Sequence, residues 1–229
     1  MYADSYGVRD MKPYYQDKWV TIYNADCRDI LPQLEPVDLV LTDPPYGIDY
    51  QPNWDKWDGS PCDYSNIVGD NHKFIPTPFL IYRNVILFGA NYYSDLLPVG
   101  DWLIWDKRCD EVKDRMIGNP FEMAWYKSER TKGQKIYRIL HGGVVNADSE
   151  YGNNAKRWHP TQKPQNLILK IMADFSQEND AILDPFLGSG TTCYCAKKLN
   201  RKSIGIEIEE KYCEIAAKRC SQEVMELNI

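Results

Sequence analysis

No apolar run in the sequence approaches the roughly 18 residues that a membrane-spanning helix needs, so a helical membrane protein is not expected. The 7 cysteines are odd in number and scattered. Cys193 and Cys195 make one C-x-C pair with no second pair and no histidine beside it, so no metal is expected and the thiols should be free in a reducing compartment. Internal repeats and low-complexity tracts are absent. Met1–Lys12 is polar and mixed in charge, reading as neither a signal nor a transit peptide. A surplus of positive charge is missing too: 27 Lys+Arg against 33 Asp+Glu leave a net charge of −6, which taken whole argues against a polyanion-binding chain.

The distribution of charge says otherwise. From Lys107 to Lys163 there are 12 basic and 7 acidic residues, while the rest of the chain holds 15 and 26. Lys107, Arg108, Lys127, Arg130, Lys132, Lys135, Arg138, Lys156 and Arg157 are therefore candidates for contacts to a phosphate backbone, with a solvated mixed-charge loop as the alternative. The bulk is ordinary: 229 residues, 43% hydrophobic and 26% charged, enough for one large domain or one domain with an insertion.

The chain is organised around 37–47. Val37, Leu39, Val40 and Leu41 read as a buried strand, and the run ends in Asp43-Pro44-Pro45-Tyr46-Gly47. Ligands of parallel sheets bind just past the carboxyl ends of their strands. The two prolines stiffen the turn and leave carbonyls free to accept. One carboxylate, one oriented carbonyl and one aromatic ring suit a planar group bearing an NH₂; a capped turn with a packed tyrosine is the bland alternative. Upstream, Trp19–Asn24 has strand composition and Arg28–Leu34 reads as a short helix, so the segment is β-α-β. Asp26 then lies at a second carboxyl end, either beside the same crevice or as a helix N-cap.

Residues 48–72 form a long loop rich in aromatics, of a kind that can close over a ligand. Residues 73–83 are expected to be partly helical, and Asn84–Gly89, Trp102–Trp105 and Phe121–Tyr126 to be strands. Residues 127–158 show little periodicity and read as a flexible basic segment.

Near the other end a short strand, Ala181–Leu183, runs into Asp184-Pro185-Phe186-Leu187-Gly188-Ser189-Gly190-Thr191-Thr192. A helix follows, then a strand ending on Glu207. Strand, glycine turn, helix, strand and acid make a nucleoside-binding arrangement. The turn lacks the lysine of an ATP-binding P-loop. It also lacks the third glycine of a dinucleotide fingerprint, since Cys193 stands there, and Asp184 would repel a pyrophosphate. The same acid suits a cationic ligand end. The best-matched ligand is S-adenosylmethionine, with Glu207 accepting from the ribose.

Together, Asp43-Pro44-Pro45-Tyr46 and the later Asp184–Thr192 segment resemble the beta group of S-adenosylmethionine-dependent DNA amino-methyltransferases. His159-Pro160-Thr161-Gln162-Lys163-Pro164 is similar to that group's segment before the cofactor helix. The resemblance runs from about Val20 to the C-terminus. It implies an α/β, Rossmann-like fold: a seven-stranded, mostly parallel sheet with one antiparallel strand, and helices on both faces. In that fold the strand near Ala181 would be first in space and Trp19–Asn24 third. It implies one methyltransferase domain over residues 1–229 with a small basic target-recognition insertion around 107–158, shorter than relatives usually carry.

By the same resemblance, Asp43, Pro44, Pro45 and Tyr46 would be catalytic. Asp26 would contact the cofactor's adenine, Thr161 and Lys163 would lie beside its methionine end, and Asp184, Phe186, Gly188, Ser189, Gly190, Thr191 and Glu207 would complete its site. A leading Asp is usual for adenine N6 and a leading Ser for cytosine N4. The implied substrate is double-stranded DNA, read by base flipping in a bacterial or phage-type restriction-modification setting, in the cytoplasm, with a homodimer supplying further DNA surface. Cytosine N4, RNA or a protein amide are nearer alternatives. A non-catalytic nucleic-acid-binding protein would need an altered tetrapeptide or a broken glycine turn, and neither is present.

Overall fold

The β-branched and leucine runs of the sequence become strands because side chains alternate across a sheet and, here, both faces are covered. The computed structural model describes residues 11–50, 67–108, 119–142, 145–146 and 162–222. In chain order the described elements are β1 (Tyr15–Gln16), β2 (Val20–Asn24), α1 (Cys27–Ile30), β3 (Leu39–Thr42), β4 (Val85–Phe88), β5 (Asp101–Asp106), β6 (Phe121–Lys127), β7 (Lys135–Arg138), β8 (His141–Gly142) and β9 (Val145–Asn146). They continue with α2 (Gln165–Phe175), β10 (Ala181–Asp184), α3 (Thr191–Lys198), β11 (Lys202–Glu207) and α4 (Glu210–Ser221).

One sheet has the order β1-β2-β11-β10-β3-β4-β6-β5-β7, and β8 pairs with β9 apart from it. The seven strands from β2 to β5 in that order hold a single antiparallel member, β6, as the expected Rossmann-like architecture requires. Two short edge strands extend this core: β1 runs antiparallel to β2, and β7 runs parallel to β5. Counted outward from β10, β11 is second and β2 third, the placement expected of Trp19–Asn24.

Leu39 and Leu41 of β3 face α2 and α3 together with Ile86, Phe88, Ile171 and Phe175. Val40 faces the other way, with Leu183, Val85 and Leu87, against Ile30, Phe79 and Tyr93. Helix α4 closes the β2 end through Cys213, Ala216 and Cys220. The described cysteines are free. No helix among the described residues is long and apolar enough to cross a membrane.

Two local expectations change. Residues 73–83 contain one 3-10 turn, Thr77–Phe79, because Pro76 and Pro78 remove the N–H groups a longer helix would need. The segment expected to be flexible past residue 127 is ordered through residue 142, and Lys135–Arg138 adds to the sheet edge as β7. That strand is four residues long and buries only Tyr137 among its side chains, too little for a periodicity to be read. Residues 51–66, most of the aromatic loop, lie outside the described residues.

One side chain ties three strand ends together. Buried Asn84 donates to the Asp38 carbonyl at 2.9 Å and accepts from Glu129 N at 2.9 Å and Ser128 Oγ at 3.0 Å. Asn84→Ala leaves a buried carbonyl and a backbone N–H unpaired and is expected to cost about 2 kcal/mol of stability. Urea unfolding with an unchanged slope checks it; a midpoint equal to that of the parent would show that Asn84 carries no such load.

Candidate active site

The chain reverses its direction of travel across the sheet at β10. From there it crosses to β11 on one side, whereas β3 and β4 lie on the other, so a crevice opens between the carboxyl ends of β10 and β3. Asp43 follows β3 and Asp184 closes β10. Their neighbourhood is sealed by a hydrogen bond from Thr42 Oγ1 to Asp184 Oδ1 at 2.7 Å, across 142 positions of sequence. The two motifs therefore open onto one cleft of ≈ 470 Å³, its open mouth included, which Asp43, Lys163, Asp184, Phe186, Gly188, Ser189 and Thr191 all line.

The glycine turn is held from behind. Gly190 has φ +83°, and a Cβ there would lie 2.7 Å from Ala216 Cβ, so α3 and α4 pack closely only with glycine at this position. Arg219 of α4 reaches under the turn and donates from Nη1 to the Ser189 carbonyl at 2.5 Å and to Ser189 Oγ at 3.0 Å. Glu207, at the end of β11, accepts from Gly188 N at 2.8 Å and from Glu209 N at 2.9 Å. Burial raises its carboxyl above the usual range. Asp184 also accepts from Phe186 N at 3.2 Å. Burial is the largest influence on it and pushes its carboxyl up to about 6, against the opposing bonds from Thr192, Thr42 and Phe186. Ser189 Oγ donates to Gln162 Oε1 at 3.1 Å, joining the segment before α2 to the turn.

Across the cleft, the tetrapeptide is braced on three sides. Pro44 is buried and Pro45 half-buried. Tyr46 stacks on Tyr92 with centroids 5.3 Å apart. Its ring occupies the space over Gly89, where a Cβ would come within 2.0 Å of Tyr46 Cε1 and where φ is +65°. Buried Asp70 accepts from Gly47 N at 2.9 Å and Tyr50 N at 2.7 Å, fixing the chain just past the tetrapeptide.

The Asp43 carboxylate receives two short bonds, Tyr46 Oη to Oδ1 and Lys163 Nζ to Oδ2. Lys163 also lies 3.2 Å from Glu122 Oε2, and Lys107 pairs with Glu122 Oε1. The result is an alternating chain of charges: Asp43, Lys163, Glu122, Lys107. Burial raises the Asp43 carboxyl and Glu122 adds to the rise, while Lys163 opposes both. For Glu122 burial acts upward as well, but Lys163 and Lys107 outweigh it and hold the carboxyl down at about 2. Burial works against the Lys163 ammonium, yet its two carboxylates keep it protonated. Burial and the adjacent Asp43 push the Tyr46 phenol well up, so it stays a donor.

Not every expected residue meets the cleft. Asp26 caps α1 through Arg28 N at 2.9 Å and pairs with the Arg28 side chain, one strand beyond Glu207; the N-cap alternative describes its contacts here. Lys163, expected beside a cofactor's methionine end, does line the cleft, where it donates to the tetrapeptide's carboxylate. The described basic candidates largely have partners within the chain, several of them at the surface. Lys127 donates to the Leu80 carbonyl at 2.7 Å, Arg130 pairs with Asp180, Lys135 lies 3.7 Å from Asp174 and Arg138 3.5 Å from Asp106. Arg108 is 3% exposed and Lys107 is engaged by Glu122. Lys132 is exposed. Lys156, Arg157 and Thr161 lie outside the described residues.

The sequence reading missed Glu122, Asp70 and Arg219. Each works through partners 15 or more positions away, and no spacing rule links such residues. A lone acid opening a strand and a lone arginine on an amphipathic helix look like solvated charges until the sheet is closed.

The family described as DNA methylase matches residues 97–218. A type II methyltransferase of Lactococcus lactis subsp. cremoris, M2.LlaDCHI, is 27% identical over 258 aligned positions, covering 94% of this chain and 94% of the relative. Among solved structures, an M1.HpyAVI–SAM complex is 26% identical with a TM-score of 0.56, covering 89% of this chain and 100% of the other. The PvuII cytosine-N4-specific DNA methyltransferase superposes with a TM-score of 0.63, covering 96% of this chain and 91% of the other, at 18% identity, a likeness of fold alone.

Removing the arginine that supports the glycine turn tests how the cleft is built. Arg219→Met strips the buried Ser189 carbonyl of its donor and is expected to cost about 2 kcal/mol. A melting-temperature comparison reads this out; an unshifted transition would mean that the turn stands without the Arg219 guanidinium.

Proposed function

This chain belongs to the DNA methylase family, and from that premise we propose that it transfers a methyl group from S-adenosylmethionine to the exocyclic N6 of adenine in double-stranded DNA. The observation that carries the proposal is the single cleft shared by the acceptor tetrapeptide and the glycine turn, with Thr42 bonded to Asp184 beside Asp43.

The residues present fit the donor. Asp184, which lines the cleft, disfavours an anionic ligand and favours a cation. Asp184 would hold the amino-acid end, Phe186 and the backbone of Gly188, Ser189 and Gly190 would pack along it with Thr191, and Glu207 would accept from the ribose. Asp26, at the end of the strand beside β11, would contact the adenine, and Thr161 and Lys163 would lie beside the methionine end. When bound, the donor supplies an electrophilic methyl on a sulfonium sulfur.

An exocyclic amine is a poor nucleophile because its lone pair is delocalised into the ring. In this proposal Asp43 and the Pro44 carbonyl accept its two hydrogens, which favours a tetrahedral nitrogen with the lone pair free for in-line attack. Pro45 stiffens the turn, and Tyr46, backed by Tyr92, offers a face on which a flipped base stacks. A base within a duplex cannot reach the bottom of this cleft, so flipping is required. Adenine rather than cytosine is proposed because the resemblance to the family makes a leading Asp in the tetrapeptide usual for adenine N6.

Residues 107–158 would be a small target-recognition insertion, with exposed Lys132 together with Lys156 and Arg157 toward the phosphates. A second copy of the chain would supply the rest of the DNA surface, because most described cations of this segment already have internal partners. The proposed setting is the bacterial cytoplasm.

Incubation with tritiated donor and DNA, RNA or protein, followed by nucleoside analysis, is expected to yield N6-methyldeoxyadenosine from duplex DNA. Label confined to RNA, or to cytosine, would replace the substrate assignment. Asp43→Ala is expected to lower transfer by at least about 10²-fold while leaving donor binding nearly intact; undiminished turnover would discard the mechanism.

The Asp184 carboxyl, raised to about 6, yields a pH signature. Because burial raises it above the unfolded value, its ionised form destabilises the empty protein above about pH 6, and that cost is relieved as pH falls toward the ordinary carboxylate range. A cationic ligand reverses the preference and favours the carboxylate. Donor affinity should therefore weaken as pH drops below about 6, by up to about tenfold per pH unit. Asp184→Asn should flatten that dependence, weaken binding at neutral pH and raise the melting temperature of the empty protein. Titration calorimetry from pH 5 to 8 (on the order of three units, wide enough for the linkage to develop) decides the matter; a flat profile in the parent protein rejects the role.

A further inference from the structure

Resting on Asp43 as the proposed amine acceptor, we propose that Lys163 has two seats: its ammonium fills the target amine's place on Asp43 while the site is empty and moves onto Glu122 when a base enters. Lys163 Nζ donates to Asp43 Oδ2 and lies 3.3 Å from Tyr46 Oη, the groups that a base amine stacked on Tyr46 would meet. Tyr46 Oη already occupies Oδ1, so both carboxylate oxygens have a donor. The lysine is thus a nitrogen donor held where the substrate's nitrogen donor must go.

The second seat is built and close. Glu122 Oε2 is buried, forms no hydrogen bond of good geometry, and faces Lys163 Nζ at 3.2 Å. Lys107 holds the other oxygen and fixes the carboxylate in place. Leaving Asp43 therefore asks for a small swing rather than an escape into water, which a side chain only 9% exposed has no path to make. Among the described residues, Asp43 and Glu122 are the carboxylates within 4 Å of this ammonium. The rings of Phe88 at 5.2 Å and Tyr46 at 5.9 Å flank it where it stands on Asp43.

Two consequences follow. Asp43 is never left as an unpaired charge in a low-dielectric cleft. A base that presents a carbonyl at this position gains nothing from Asp43 and cannot displace the lysine, so the contact selects for an amine. Glu122 and Lys163 are positioning residues in this scheme, acting through Asp43.

A double-mutant cycle tests it, with tritiated donor and duplex DNA from a methylation-deficient strain. Glu122→Gln keeps the shape but weakens the second seat, so Lys163 stays on Asp43 and KM for DNA is expected to rise about tenfold, within the range of coupled buried groups. Lys163→Met empties the seat, and the double variant should show the KM of Lys163→Met alone, because the Glu122→Gln defect acts only through the lysine. Loss of a merely structural ion pair would instead raise KM in Lys163→Met at least as much as in Glu122→Gln, whereas removing a competing ammonium leaves KM for DNA at or below that of the parent. An unchanged KM in Glu122→Gln, or a KM in Lys163→Met raised as far as in Glu122→Gln, overturns the proposal. Lys163→Gln supplies the same cycle should melting curves show the methionine variant unfolded. Failure of the parent protein to methylate DNA would refute the functional reading itself; an active parent with no Glu122 effect would refute only the two-seat lysine.

Discussion

Parallel pairing of β10 with β3 is the constraint on which the rest of the molecule depends. Ile182 lies against Leu39 and Leu183 against Val40, and this register delivers Asp184 and Asp43 to the same edge of the sheet. A parallel pair needs a crossover, so its partners come from far apart in the chain, and here a late strand lies beside an early one. Thr42 Oγ1 on Asp184 fixes the join with a bond between the two motifs. Because β10 also pairs with β11, the acid at Glu207 arrives at the same rim. A shift of one residue would turn Val40 and Leu183 to the opposite face and dismantle both apolar layers, so packing specifies the geometry of the cleft.

Around that join the protein concentrates charge where burial makes charge expensive. Asp43, Lys163, Glu122 and Lys107 alternate in sign, and no member stands without an opposite neighbour. Removing one member would strand its partner in a low-dielectric setting, which costs more than the pair itself contributes. Asp184 has no cation of its own in that chain, and its raised carboxyl reflects the lack. The donor wall is thus left short of positive charge, whereas the acceptor wall carries a cation already.

The glycine turn and the tetrapeptide are supported by different means. Arg219 and Ala216 of α4 brace the former from below, through a buried guanidinium and a contact too close for any Cβ on residue 190. Asp70, Gly89 and Tyr92 brace the latter through backbone bonds, a vacant Cβ position and ring stacking. Both sites lie on turns after rigid strands, which holds the two walls of the cleft at a set distance.

Much was legible from residues alone. The strands at β3, β4, β5, β6, β10 and β11 follow from apolar runs, and both functional turns follow from proline and glycine, whose backbone limits act locally. The family follows from the two motifs and their order. What the sequence could not disclose were pairings between distant charges, since Coulomb attraction depends on distance in space and not along the chain. Lys163 paired with Asp43, Glu122 became the link between two lysines, and four of the described basic candidates, Lys127, Arg130, Lys135 and Arg138, turned out to be matched by a backbone carbonyl or by Asp180, Asp174 and Asp106. Local backbone chemistry settled the elements and turns; closure of the sheet decided which charges face one another, because only folding brings them within the few ångströms over which they act.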